Sequence, residues 1–189
     1  AGVTRNGTSG VDVLIGTALA DQLVGLGGDD ILLGHAGDDA IAGGDGADCA
    51  DGGAGADVML MGSGDDQAFG GAGDDLIEGG SGADFLFGQD GNDRITAGSG
   101  DDVVVGGTGN DLIVGGIGDG NDTYFGDGTE GGTGIDTLDL SAVQASLTVD
   151  LGTGLNGRGR AESSQTGVDT LWGVENVSTG SGSHTITAS

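Results

Sequence analysis

Aspartate recurs every nine residues along most of this chain. Asp30, Asp39, Asp48, Asp57, Asp66, Asp75, Asp84, Asp93, Asp102 and Asp111 fall in one column when the sequence is written in nines from Gly25. The register reaches back to Asp21 and Asp12. It resumes at Asp122 after a two-residue insertion and at Asp136 after a five-residue one. Carboxylates among glycine-rich peptide carbonyls form an array of hard oxygen donors. Such donors suit Ca²⁺, whereas zinc and copper favour imidazole and thiolate. Glycine adds freedom to take φ > 0 and turn a carbonyl toward an ion.

Other chemistry finds little support. His35 and His184 stand at unrelated repeat positions and cannot make an H-E-x-x-H zinc site. There is no G-x-S-x-G nucleophile elbow and, without lysine, no Walker lysine. Paired acids such as Asp29-Asp30 and Asp101-Asp102 read as one ligand beside a solvated or outer-sphere neighbour. His35 reads as a surface residue at a variable turn position, and Cys49 as a small filler facing outward from a strand. A single cysteine excludes an internal disulfide and leaves an intermolecular bridge open. The expectation is a protein without catalytic activity.

The elements that carry these acids follow from their neighbours. Two positions after each Asp comes an apolar residue: Leu14, Leu23, Leu32, Ile41, Ala50, Met59, Ala68, Ile77, Leu86, Ile95, Val104, Ile113, Tyr124 and Leu138. Two positions before each Asp stands Gly, with Leu19 the exception. Tyr124 is expected to fill a coil widened by the insertion. Ala50 and Ala68 are expected to thin the core. One inward side chain per nine residues is a slender core, and columns of carboxylates repel at close spacing. The chain is therefore expected to fold only when a cation binds.

Composition agrees. Of 189 residues, 47 are Gly, 31 acidic and 4 basic, with no Pro and a net charge of -27. Collagen needs proline beside its glycine. A polyanion is a poor partner for nucleic acid or anionic membrane. No stretch approaches the ~20 apolar residues of a membrane span. A disordered chain has no reason to keep a strict register.

The unit is G-G-x-G-x-D-x-U-x, as in Gly70-Gly71-Ala72-Gly73-Asp74-Asp75-Leu76-Ile77-Glu78. It resembles the calcium-binding nonapeptide of RTX proteins over roughly residues 7–139. The resemblance implies an all-β, right-handed parallel β-roll, a two-sheet calcium-bound solenoid with a short C-terminal β flank. In that fold six residues turn, three form a strand, and two nonapeptides close a coil. About fourteen repeats would occupy 1–139, and a β-rich flanking or cap segment 140–189. Ions would sit between Asp(n) and Asp(n+18). One column then holds Asp12, Asp30, Asp48, Asp66, Asp84, Asp102 and Asp122; the other holds Asp21, Asp39, Asp57, Asp75, Asp93, Asp111 and Asp136. Up to about twelve Ca²⁺ would fit. Leu19 puts Asp21 in doubt, and the insertions put the last site of each column in question. The resemblance also implies a bacterial protein secreted by a type I route to the exterior or the cell surface.

In such a roll the residues flanking each inward position face out. One sheet would carry Val13, Ile15, Ile31, Leu33, Cys49, Phe69, Phe85, Phe87, Val103, Val105 and Phe125 outward, interrupted only by Asp51, Gln67 and Thr123. The opposite face is more mixed, with Gln22, Glu78, Arg94, Thr96, Thr137 and Asp139. Three coverings fit the apolar face: the C-terminal segment folding back, another copy of the chain, or a catalytic domain of a longer precursor.

The N-terminus reads as uncapped, with a coil already at Gly10–Ile15. In the C-terminal fifty residues, which hold Arg158, Arg160 and Trp172, Leu147, Val149 and Leu151 alternate as in a strand. Residues Val168–Val177 look like the region that follows the repeats in many RTX proteins. Gly180–Thr187 imitates a repeat, with His184 in the place of Asp, so end-to-end stacking of copies is a second route to assembly. Ala1, without Met or an apolar leader, reads as a processed product, a fragment, or a chain exported by a C-terminal route. The functional expectation is a secreted structural protein that assembles into a surface layer or filament, through Phe69, Phe85, Phe87 and Phe125 or end to end. The alternatives are a non-catalytic folding and secretion module of a larger enzyme, or an adhesin segment.

Overall fold

The computed structural model describes residues 2–115, 120–127, 134–143, 148–150, 158–163, 167–181 and 183–187. The strands are β1 (Thr4–Asn6), β2 (Val13–Ile15), β3 (Gln22–Gly27), β4 (Ile31–Ala36), β5 (Ala40–Asp45), β6 (Cys49–Ala54), β7 (Val58–Ser63), β8 (Gln67–Ala72), β9 (Leu76–Ser81) and β10 (Phe85–Asp90). They continue with β11 (Arg94–Ser99), β12 (Val103–Thr108), β13 (Leu112–Val114), β14 (Thr123–Asp127), β15 (Thr137–Leu140), β16 (Thr148–Asp150), β17 (Arg158–Ser163), β18 (Gly167–Trp172), β19 (Asn176–Thr179) and β20 (Thr185–Thr187).

Alternate strands go to alternate sheets. One sheet runs β1-β3-β5-β7-β9-β11-β13-β15-β19, and the other β2-β4-β6-β8-β10-β12-β14 before β18-β17-β16-β20. Pairing is parallel at an offset of eighteen residues, Ile77 beside Ile95 and Leu86 beside Val104. This is a parallel β-roll of two nonapeptides per coil. Strands β3 to β12 are each six residues long, twice the length the resemblance implies. The ladder continues past the inward residue into the glycine half, pairing Gln89 with Gly107 and Asp90 with Thr108. Coils of like shape stacked in parallel satisfy main-chain groups through their turns as well as their strands.

The core is the column of inward residues, with Leu23, Leu32, Met59, Ile77, Leu86, Ile95, Val104, Ile113, Tyr124 and Leu138 fully buried. Two further core residues, Met61 and Ala97, replace the first glycine of their units. Met61 lies on β7 of one sheet, whereas Ala50 and Ala68 pair with each other on β6 and β8 of the other.

At the N-terminus a further strand precedes the coil expected at Gly10–Ile15. β1 pairs with β3 and sets Arg5 beside Leu23, at the position that is apolar in later coils. Arg5 is exposed there, a charged residue at that place. At the other end β18 stacks in parallel on β14, and β19 on β15, so two strands beyond the repeats continue the coil. Antiparallel β17 then lies along β18 and β16 along β17, which ends the parallel stack on that sheet. The described part of the C-terminal segment thus joins the sheet edgewise. Val149 lies in β16, whereas Leu147 and Leu151 lie outside the described residues, as do both insertions at 116–119 and 128–133. The repeat-like tail puts β20 beside β16 and not on the coil stack, with His184 Nε2 2.9 Å from the Gly180 carbonyl.

On the even-numbered sheet Val13, Ile15, Ile31 and Phe85 are exposed, while Leu33, Cys49, Phe69, Phe87, Val103, Val105 and Phe125 are half-buried against their neighbours. Phe69 stacks on Phe87 with centroids 5.1 Å apart, and Phe125 on Trp172 at 6.2 Å. The opposite face is less mixed than expected in its N-terminal half, where Val58, Leu60 and Leu76 are exposed.

Candidate metal centre

Each repeat aspartate is placed by the turn before it and the strand after it. Its main-chain N–H donates to Oδ1 of the aspartate one coil on, at 2.7–2.9 Å from Asp12 to Asp30 through to Asp111 to Asp136. Two carboxylate columns result, one along each edge of the roll. Asp122 and Asp136 stand in them despite the insertions that precede them.

One oxygen of each carboxylate is therefore held by the main chain. The other behaves differently along the column. Oδ2 of Asp30, Asp39, Asp48, Asp57, Asp66, Asp75, Asp84, Asp93, Asp111 and Asp136 is buried without a hydrogen-bond partner. A buried anionic oxygen left this way is costly, and a cation removes the cost. Among the described residues no three carboxylate, imidazole or thiol groups converge. Any ion must therefore draw on main-chain oxygens.

The turns present such oxygens. In the ten loops ending at Asp30 through Asp111, the second and fourth positions of the unit have positive φ, as at Gly71 (φ 114) and Gly73 (φ 135). A Cβ on Gly71 would strike the Gly53 carbonyl oxygen, and one on Gly73 that of Gly55, so these carbonyls point along the axis at the next coil. A Cβ on Gly70, the first position, would strike Asp75 Oδ2 and come within 2.8 Å of the Gly88 carbonyl oxygen. Carboxylate and carbonyl oxygens thus crowd the same space between coils, with glycine keeping it open. An all-oxygen, flexible donor set fits Ca²⁺.

Electrostatics without an ion is unfavourable. Burial, followed by like-charged neighbours, raises the carboxyl pKa of Asp66, Asp75 and Asp136 to about 6 and that of Asp93 to about 7. Asp39, Asp48, Asp57, Asp84 and Asp111 shift in the same direction, again chiefly through burial. The columns are built for charge that the protein alone does not balance.

Some expected positions look different. Asp21 stands in its column and binds Asp39 in the usual way, but Thr17 donates to its Oδ2 through N–H and hydroxyl at 2.5 and 3.0 Å. Asp12 is treated alike by Thr8, at 2.6 and 2.8 Å. Asp122 Oδ2 accepts from the buried Tyr124 hydroxyl at 2.7 Å, so this tyrosine touches the column as well as filling the coil. His35 is exposed, though its position is the second glycine of the unit, where it takes φ 79.

Two members were missed. Asp122 N–H donates to Asp169 Oδ1 at 3.2 Å, and Asp136 N–H to Glu175 Oε2 at 2.8 Å. The signal was in the sequence: Asp169 precedes buried Leu171 by two, and Glu175 precedes Val177 by two. Glu175 follows Leu171 by only four residues, where a full unit has seven between its apolar residue and the next acid. The longer side chain spans the abbreviated turn.

The second acid of each pair has its own role. Asp29 Oδ1 accepts from Ala47 N–H at 3.0 Å and Asp74 Oδ1 from Asn92 N–H at 2.8 Å, an exposed ladder parallel to the buried one. Asn92 and Asn110 serve equally in it, so charge is not required. Cys49 is a free thiol whose pKa is pushed up by burial and by Asp51.

This arrangement defines a parallel β-solenoid with paired acid columns at its turns. The four-copy RTX calcium-binding nonapeptide repeat matches residues 6–41, 24–59, 34–68, 61–95, 87–119 and 96–128. These matches span more than half of the 189 residues, and the chain belongs to this calcium-binding repeat family. No curated protein matches it. Among the described residues no helix is long and apolar enough to cross a membrane.

Proposed function

We propose that this chain is a secreted, non-catalytic structural protein that folds on Ca²⁺ and assembles with further copies through the outer face of the even-numbered sheet. Calcium supplies the positive charge and the oxygen coordination that link successive coils. Asp30 through Asp111, with Asp122 and Asp136, supply the carboxylates, and the turn glycines the carbonyls. Residues 1–139 supply most of the roll, and 140–189 act as a flank that returns β18 and β19 to it. The number of ions stays within the twelve that the spacing allows.

One observation carries the assembly reading. In a protein of net charge -27, the positions flanking each inward residue from β2 to β14 on the face of Phe69, Phe85, Phe87 and Phe125 carry one charge, Asp51, while Asp90 and Asp127 stand at the ends of β10 and β14. The described C-terminal strands extend this face at its edge. A patch of this kind is larger than monomers ordinarily leave bare. The adhesin reading fares worse, since Phe69 and Phe87 lie 9° from parallel and turn their faces to each other, away from a sugar ring. The accessory-module reading draws support from antiparallel β17, which ends the stack on one sheet.

Electron microscopy and scattering with and without calcium test the proposal. Sheets or filaments that dissolve in chelator, and that Phe85→Lys abolishes without loss of the calcium-loaded fold, are expected. A strictly monomeric particle at high concentration in calcium would sink the assembly reading and leave the calcium roll intact.

A further inference from the structure

The loops ending at Asp12 and Asp21 differ from the ten that follow in two independent ways. In the later loops the second and fourth positions both have positive φ; in these two neither does, although Gly10 stands at the fourth position of the first. Their peptides do not make the left-handed turn that aims carbonyls along the axis. Their carboxylates differ as well. Thr8 donates to Asp12 Oδ2 through N–H at 2.6 Å and hydroxyl at 2.8 Å, and Thr17 does the same for Asp21 at 2.5 and 3.0 Å. In later loops the corresponding oxygen is buried without a partner, as at Asp30 and Asp39.

Both threonines occupy the second glycine position, in Gly7-Thr8-Ser9-Gly10-Val11-Asp12 and Gly16-Thr17-Ala18-Leu19-Ala20-Asp21. The substitution falls once in each column, at its first member. A β-branched residue resists positive φ, so threonine removes the carbonyl turn and offers two protons to the oxygen that would otherwise face a cation.

We propose that these two loops take no metal: threonine stands in for the ion, and both ion columns begin at the loops of Asp30 and Asp39. Both loops are held by hydrogen bonds and keep their shape without calcium. This rests on the calcium reading of the later loops.

Calcium bound per chain, measured by equilibrium dialysis with radiolabelled ion, decides it. Thr8→Gly restores the full unit in the first loop, and Thr17→Gly with Leu19→Gly in the second. Each restoration is expected to add roughly one ion per chain, as one loop gains its carbonyl donors. Unchanged stoichiometry in variants whose calcium-loaded circular dichroism matches the native chain overturns the proposal. If the glycine variants do not fold, Asp12→Asn in the native chain serves instead. It is expected to remove no ion while Asp48→Asn removes at least one, and loss of an ion from Asp12→Asn overturns the proposal. A native chain that binds no calcium overturns the family reading and not this one alone.

Discussion

Asp93 gives one carboxylate oxygen to the main-chain N–H of Asp75, 2.9 Å away, and buries the other without a partner. The first bond locks two coils in register. The second oxygen leaves a charge that nothing in the protein neutralises. Structure and instability therefore come from the same side chain, repeated along both edges of the roll.

Removal of calcium is expected to unfold the roll. In excess chelator the strand signal in circular dichroism falls and the radius of gyration grows, and both return when calcium is added back. Equal strand content in chelator and in calcium would contradict this.

The metal-free chain is expected to gain structure in acid. Carboxyls at about 6 to 7 in the fold, against 3.8 for an ordinary aspartate, bind protons more tightly folded than unfolded. Their contribution to stability is complete below the unfolded pKa and is lost as pH rises through the folded values. A chelated sample taken from pH 8 to below pH 4 should recover strand signal, the gain falling between the folded values of about 6 to 7 and the unfolded 3.8. Calcium affinity should move the opposite way and rise with pH.

The buried and exposed ladders should respond differently to the same change. Asp75→Asn keeps an acceptor for Asp57 and removes the charge, so the calcium midpoint for folding is expected to rise several-fold. Asp74→Asn places in the exposed ladder the residue type already used at Asn92, and is expected to change stability by less than about 0.5 kcal/mol. Titration of calcium against circular dichroism separates the two.

Glycine is expected to stabilise one side chain's position. Gln89 has φ 79 where Gly71 and Gly107 occupy the same place with φ 114 and 124. A left-handed residue other than glycine costs roughly 1–2 kcal/mol, partly offset by the unfolded-state entropy of glycine. Gln89→Gly should gain about 0.5–1 kcal/mol in calcium-saturated denaturation. The opposite change, Gly71→Ala, should be among the most damaging single substitutions, since its Cβ meets the Gly53 carbonyl as well.

Much of the fold was legible because the repeat is linear. A residue that recurs at nine with an apolar partner two places on fixes strand centres, turn positions and the eighteen-residue offset, since every coil meets the same neighbour. The columns through Asp111 follow from that rule alone. Asp169 and Glu175 escaped it because the chain between Asp136 and Asp169 leaves the register, and only the return of β18 and β19 to the stack shows where they belong. Met61 escaped because the first unit position is glycine in most repeats, and a side chain there points inward only once the coil is closed.

The sequence by itself determined the periodicity, the oxygen-rich chemistry and the inward column, all properties of one unit and its copies. The tertiary structure decided what happens where copies stop being alike. Arg5 takes an inward position that is apolar elsewhere, Thr8 and Thr17 satisfy Asp12 and Asp21, and antiparallel β17 ends the parallel stack of one sheet. A repeat specifies its interior through neighbours of known identity. An end has a neighbour on one side only, and what replaces the other depends on which hydrogen bonds the folded chain can still make.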